Sequence, residues 1–158
     1  MKGVLIAWAA KYLIIVLCSQ SIIMPDLISS HIRIVSYNTR GLRNLTVPSL
    51  FNDYDIILLQ ETLLCKQHLG SLNSLSPEFQ GTGVSVTDLS VGLLKGRPSG
   101  GIGVLWRKTL GSIVTEMDFK LNWLSGICIK VPNGDNIFII SAISHFNVVR
   151  TKKNFSWN

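Results

Sequence analysis

Two short apolar runs in this chain end in the same way. Ile32-Arg33-Ile34-Val35-Ser36-Tyr37 delivers Asn38, and Asp55-Ile56-Ile57-Leu58-Leu59-Gln60 delivers Glu61. Both are short and rich in β-branched or large apolar residues, which predicts buried strands. If the two strands are neighbours, the amide and the carboxylate arrive at the same edge of one sheet. An amide beside a carboxylate at a strand end is half of a divalent-metal and phosphate site.

The remaining pattern alternates strands with short helices. Thr39–Thr46 reads as a loop in which Gly41 permits a tight turn. Val47–Asn52 reads as a short helix, with Thr46 as N-cap and Pro48 in its first turn. Cys65–Leu75 reads as a second helix with Leu69 and Leu72 on one face, and Pro77–Gly100 as loop. Strands follow at Gly101–Trp106, Ile113–Met117, Leu124–Val131 and Ile137–Ala142. The last two flank Pro132-Asn133-Gly134-Asp135, and Asn-Gly between apolar runs is a strong hairpin signal. The order implies an α/β (α+β) fold with mixed strand pairing.

At 158 residues and 47% hydrophobic content the chain fits one domain with a real core and is not a disordered polymer. Its net charge of +6 leans towards an anionic partner, with nucleic acid the sharper reading and an ordinary small basic protein the plain one. Cys18, Cys65 and Cys128 are odd in number and widely spaced, so neither a disulfide framework nor a zinc site is indicated.

Residues 1–30 form a separate apolar leader. Gly3–Ala10 and Tyr12–Cys18 are apolar, Ile22–Met24 adds a third run, and Pro25 closes the segment. A membrane-spanning helix needs about 20 apolar residues, and Lys11 would sit near the middle of one. A signal peptide or membrane anchor within residues 1–24 is one reading, with Lys2 and Lys11 as the basic region. A leader without a native role, or a packed helix, is the other. The main domain then spans residues 31–142.

Three motifs in order carry a resemblance: Ser36-Tyr37-Asn38-Thr39-Arg40-Gly41-Leu42-Arg43, Asp55-Ile56-Ile57-Leu58-Leu59-Gln60-Glu61-Thr62, and Gly96-Arg97-Pro98-Ser99-Gly100-Gly101-Ile102-Gly103-Val104-Leu105-Trp106-Arg107. The stretch from Ile32 to Ala142 resembles the N-terminal part of an endonuclease/exonuclease/phosphatase domain. The branch it looks most like is the apurinic-type endonuclease of non-long-terminal-repeat retrotransposons, found in the reverse transcriptase polyprotein. The resemblance implies a four-layered α/β/β/α sandwich of the deoxyribonuclease-like type that cleaves phosphodiesters, DNA in that branch, with Mg²⁺ or Mn²⁺. Glu61 matches the metal-binding glutamate, and Asn38 the asparagine that orients the site and the phosphate. Arg40 stands where abasic-site repair enzymes place an acid. A cation there suits a phosphate rather than a metal, and this favours the retrotransposon branch. Arg97 falls in the loop that approaches the DNA backbone.

Other residues have a plainer reading. Asn38 is also a residue type that caps its own turn, and Glu61 could be an ordinary strand-end carboxylate. His68 reads as a surface residue, and His145 lacks a motif context.

After Ser141-Ala142 the resemblance ends. The family continues into Tyr-x-Pro, but Ile143-Ser144-His145-Phe146 follows here. The later Gly-Asp-x-Asn and Ser-Asp-His segments do not occur, and residues 143–158 form a basic tail. The expectation is a C-terminally truncated, monomeric, Mg²⁺-dependent endonuclease domain with an incomplete catalytic set and little or no cleavage. Its second sheet would have open edges. Two alternatives stand beside it. One is a non-catalytic nucleic-acid-binding remnant using Arg40, Arg43, Arg97, Arg107, Lys152 and Lys153. The other is a membrane-tethered or secreted phosphatase or nuclease relative. The sequence leaves location open; a nuclear or cytoplasmic one is favoured, with the N-terminal signal or anchor as the alternative.

Overall fold

The computed structural model describes residues 3–9, 12–18, 32–42, 48–92, 96, 98–130 and 136–143. Within them the strands are β1 (Gly3–Ala9), β2 (Tyr12–Cys18), β3 (Ile34–Asn38), β4 (Ile56–Gln60), β5 (Phe79–Val84), β6 (Ile102–Arg107), β7 (Val114–Met117), β8 (Leu124–Lys130) and β9 (Asn136–Ile143). A short helix, α1 (Pro48–Asp53), links β3 to β4, and a 3₁₀ segment covers Lys66–Ser74. The strands make two sheets, a four-stranded one ordered β3-β4-β6-β5 and a five-stranded one ordered β1-β2-β9-β8-β7. β3 and β4 run parallel across the α1 crossover, and the other pairs are antiparallel. The fold is therefore mixed α and β, dominated by sheet.

The core explains why β4 carries no polar alternation. Ile56 and Leu58 face the second sheet and pack with Val104, Trp106, Ile127, Ile129 and Ile139. Ile57 and Leu59 point to the opposite face, where they meet Leu50 of α1, Leu72 of the 3₁₀ segment, Phe79 and Leu105. All five β4 positions are buried, so a continuous apolar run is what both faces require. On the five-stranded sheet Cys128, Phe138 and Ile140 alternate with the core residues and are half-buried.

Three sequence expectations differ from the structure. Cys65–Leu75 was expected to be a helix; a helix is there, but it runs over Lys66–Ser74 and is of the 3₁₀ type. A 3₁₀ turn stacks residues three apart, and Leu69, Leu72 and Leu75 have that spacing and share one cluster. The expected loop Pro77–Gly100 contains β5. Its glycines hid the strand, yet they are what lets it pack. A Cβ on Gly81 would lie 2.3 Å from Leu105 Cδ2, and one on Gly83 would lie 2.8 Å from Leu72 Cδ1. The third difference is at the start of the chain. Residues read as an anchor, leader or helix form β1 and β2, and β2 pairs with β9 from Tyr12↔Ile143 to Cys18↔Ile137. The edge of β9 that was expected to be open is thus paired. Among the described residues no helix is long and apolar enough to cross a membrane. Thr46, the Pro132–Asp135 turn and residues 144–158 lie outside the described residues.

The end of the four-stranded sheet that carries Trp106 is tied by charge. Arg107 Nε donates to Asp55 Oδ1 at 3.2 Å, Arg107 Nη1 to Glu78 Oε2 at 2.6 Å, and Arg107 Nη2 to Phe51 O at 2.5 Å. Its guanidinium also sits 5.0 Å from the Phe79 ring centroid. The Arg33 backbone N–H donates to Asp55 Oδ2 at 2.9 Å.

Candidate functional site

The register brings the two polar strand ends together. Asn38 pairs with Gln60 across β3 and β4, so Glu61 follows one residue beyond Asn38's partner. Gln60 is in turn level with Ile102, and Ile102 with Val84. Asn38, Glu61, Gly101 and Ser85 therefore lie at one end of the sheet, opposite the Arg107 tie.

The backbone at this end is unusual. Arg40 (φ 48°), Glu61 (φ 52°) and Leu63 (φ 53°) are non-glycine residues in the left-handed region, beside Gly41 (φ 110°), Gly100 (φ 65°) and Gly101 (φ 83°). Such conformations cost of order 1 kcal/mol or more each, and they persist only where surrounding contacts over-determine them. Here the contacts are dense. Glu61 O accepts from Gly41 N at 2.8 Å, and Thr62 O accepts from Leu42 N at 2.9 Å. Thr62 N donates to Gly101 O at 3.1 Å, and Leu63 N to Gly100 O at 2.9 Å. Thr39 is a buried residue, and its hydroxyl lies 3.0 Å from Gln60 O and 2.9 Å from Glu61 O.

Asn38 realises its plainer reading. Its Oδ1 accepts the Arg40 backbone N–H at 3.0 Å, closing a turn on its own strand. A carbonyl oxygen has a second lone pair, so the same atom can also face a cation. Glu61 is half-buried and Arg40 exposed. Gln60 is buried, and its amide Nε2 donates to Ser36 Oγ at 2.7 Å, joining β4 to β3 beneath Asn38. Among the described residues no three of His, Cys, Asp and Glu gather as a metal cage. A cation here would rest on the Glu61 carboxylate and the Asn38 amide oxygen. Mg²⁺ is commonly bound in this way, by one or two carboxylates with waters and substrate phosphate completing the shell.

Arg97 and His145 lie outside the described residues, as do Arg43, Lys152 and Lys153. Arg107 was expected to be one of the phosphate-facing cations. It is instead committed to the Asp55–Glu78 tie at the far end of the sheet. Ile143, in the position where the resemblance puts a tyrosine, is buried against Ile102 and Val84.

A cleft of about 630 Å³ adjoins the same end, between the β5 rim and the β7–β8 turn. Lys66, Ser85, Met117, Phe119 and Ser125 are among its walls. Its charges offset one another. Lys66 pairs with Asp88 at 3.2 Å, Lys120 pairs with Asp118, and Glu116 adds a further carboxylate. Among the described residues, the lining lysines thus have carboxylates beside them. Ser85 Oγ donates to Leu64 O at 2.5 Å, which fixes the loop leaving Glu61 against this wall.

Sequence reasoning named Asn38 and Glu61 but gave no role to Thr39, Gly100 and Gly101. The visible signal was a Gly-Gly pair directly before a strand, a place where a backbone approaches closely or turns with positive φ. Comparison with protein-family models, with curated proteins and with solved structures finds no match for this chain.

Proposed function

We propose that the chain holds the N-terminal part of a divalent-metal-dependent phosphodiesterase site of the endonuclease/exonuclease/phosphatase kind, related to retrotransposon endonucleases that nick DNA. The observation that carries this reading is the Asn38–Gln60 register with Glu61 directly after it, inside a cluster of left-handed residues. Strain of this sort collects at functional sites. The two packed sheets, with α1 and the 3₁₀ segment on one outer face, support a sandwich of the four-layered type. In that reading a further helical layer covers Cys128, Phe138 and Ile140.

Glu61 and Asn38 would hold Mg²⁺ or Mn²⁺, and Arg40 would meet a DNA phosphate. The bound cation would neutralise charge developing on the phosphoryl oxygens. Asn38 and Arg40 orient the phosphate. No residue of the present set activates water, because Gly-Asp-x-Asn and Ser-Asp-His are not among the 158 residues. In this reading the 158 residues supply the metal- and phosphate-binding half of such a site.

The direct test is thermal unfolding with and without Mg²⁺ or Mn²⁺. A ligand held by the folded state alone raises Tm with concentration. The expected result is a Tm increase with the wild type that Glu61→Gln removes. An equal increase in both proteins overturns the metal assignment.

A further inference from the structure

We propose that Thr39 is a positioning residue for Glu61. Its buried hydroxyl holds the Glu61 peptide in the left-handed turn from which the carboxylate reaches a cation. The inference rests on the metal reading above for its functional half, and on hydrogen-bond geometry alone for its structural half.

Glu61 at φ 52° is in a conformation that a glutamate adopts rarely. Two groups seize its carbonyl. Gly41 N donates to it at 2.8 Å, and Thr39 Oγ1 lies 2.9 Å away. The same hydroxyl reaches Gln60 O at 3.0 Å, so one proton spans the carbonyls on both sides of the residue that turns. The hydroxyl oxygen also receives the Gly41 N–H at 3.3 Å. Thr39 is thus both donor and acceptor at the point where the β3 and β4 chain ends diverge. Its backbone N–H adds a bond to Gln60 O at 2.9 Å.

The other side of the turn is closed by glycine. A Cβ on Gly101 would lie 2.5 Å from Thr62 Oγ1, and Gly101 O receives the Thr62 N–H. Glu61 is therefore gripped between the Thr39 hydroxyl just past β3 and a bare backbone before β6. Asn38 Oδ1 accepts the Arg40 N–H, and Thr39, the residue directly after β3, places its hydroxyl on the Glu61 carbonyl.

The test compares the full-length wild type with Thr39→Val and Thr39→Ser. Val keeps the shape and removes the hydroxyl, whereas Ser keeps the hydroxyl. Backbone NMR shifts and three-bond couplings at Glu61 report its φ, and Mn²⁺-induced line broadening at Glu61 reports ion proximity. The expectation for Thr39→Val is loss of the left-handed signature at Glu61, with β4, β6 and β8 signals retained. Mn²⁺ should bind about tenfold more weakly, the scale of one hydrogen bond. Thr39→Ser should restore both readouts. A Thr39→Val protein with unchanged Glu61 couplings overturns the proposal. If Val releases the turn but even the wild type shows no Mn²⁺ broadening, the metal reading fails and the positioning of Glu61 by Thr39 stands. If Val does not fold, an unchanged Glu61 coupling in Thr39→Ala overturns the proposal in the same way.

Discussion

Asp55 shows how one side chain can hold two elements at once. Burial raises its pKa, but the Arg33 N–H, the Arg33 guanidinium and Arg107 together outweigh that and hold it below the ordinary carboxylate value. A carboxylate whose folded pKa is depressed stabilises the fold above its unfolded pKa, near 4, and loses that contribution as pH falls through the folded value. Tm is therefore expected to fall on acidification below about pH 4. Asp55→Asn should lower stability at neutral pH by about 1–2 kcal/mol, since it removes the carboxylate shared by Arg33 and Arg107 and leaves Arg107 with Glu78 alone. It should also flatten the acid limb. Thermal melts of both proteins between neutral and acid pH check this, and parallel curves would assign the acid sensitivity to other groups. The residue scale is also where the sequence was least explicit. Asn38 and Glu61 stood out because each ends an apolar run. Thr39, whose hydroxyl spans the carbonyls of Gln60 and Glu61 at the end of β4, looked like an ordinary loop residue, because nothing local announces which strand lies beside it.

At the scale of elements, legibility followed how much of each element's identity was local. β4, β6, β8 and β9 were readable because apolar or alternating runs bounded by turn residues specify strands without help. β5 was not, because Gly81 and Gly83 weaken strand propensity and are needed only for contact with Leu105 and Leu72. The helix at Lys66–Ser74 was readable but its 3₁₀ type was not, because two leucines three apart suit either helix, and the third, Leu75, completes the spacing of three. This packing makes a directional prediction. Gly83→Ala forces a Cβ to 2.5 Å from Ile102 O and against Leu72, and should cost about 1–3 kcal/mol as overpacking. Leu72→Ala removes a fully buried side chain from the same contact and should cost about 2–5 kcal/mol. Denaturant midpoints measure both. Because the two residues touch, the double variant should recover part of the Gly83→Ala cost, and strict additivity would show that the strain lies against Ile102 O instead.

For the whole molecule, the first eighteen residues change the meaning of the rest. Read as an anchor or a detachable leader, they leave β9 with an open edge, and an open apolar edge invites aggregation. In the fold, β2 supplies seven register partners to β9, so the five-stranded sheet is assembled from the two distant ends of the described chain. That pairing has high contact order, and no local pattern in Tyr12–Cys18 says which strand it joins. The two readings make opposite predictions for a chain lacking residues 1–24. A leader outside the domain can be removed with Tm and solubility unchanged. A strand pair inside the sheet cannot, because its removal uncovers the backbone N–H and C=O groups of β9 between Ile137 and Ile143. The expected outcome is a lower Tm and concentration-dependent aggregation, measured by melting and light scattering on full-length and shortened proteins side by side. Amide exchange sharpens the comparison. β9 amides should lose protection in the shortened protein, while those of β4, at the centre of the other sheet, keep theirs. Unchanged β9 protection would return residues 1–24 to the status of a leader and leave the β4–β6 core as the part of the molecule that stands without them.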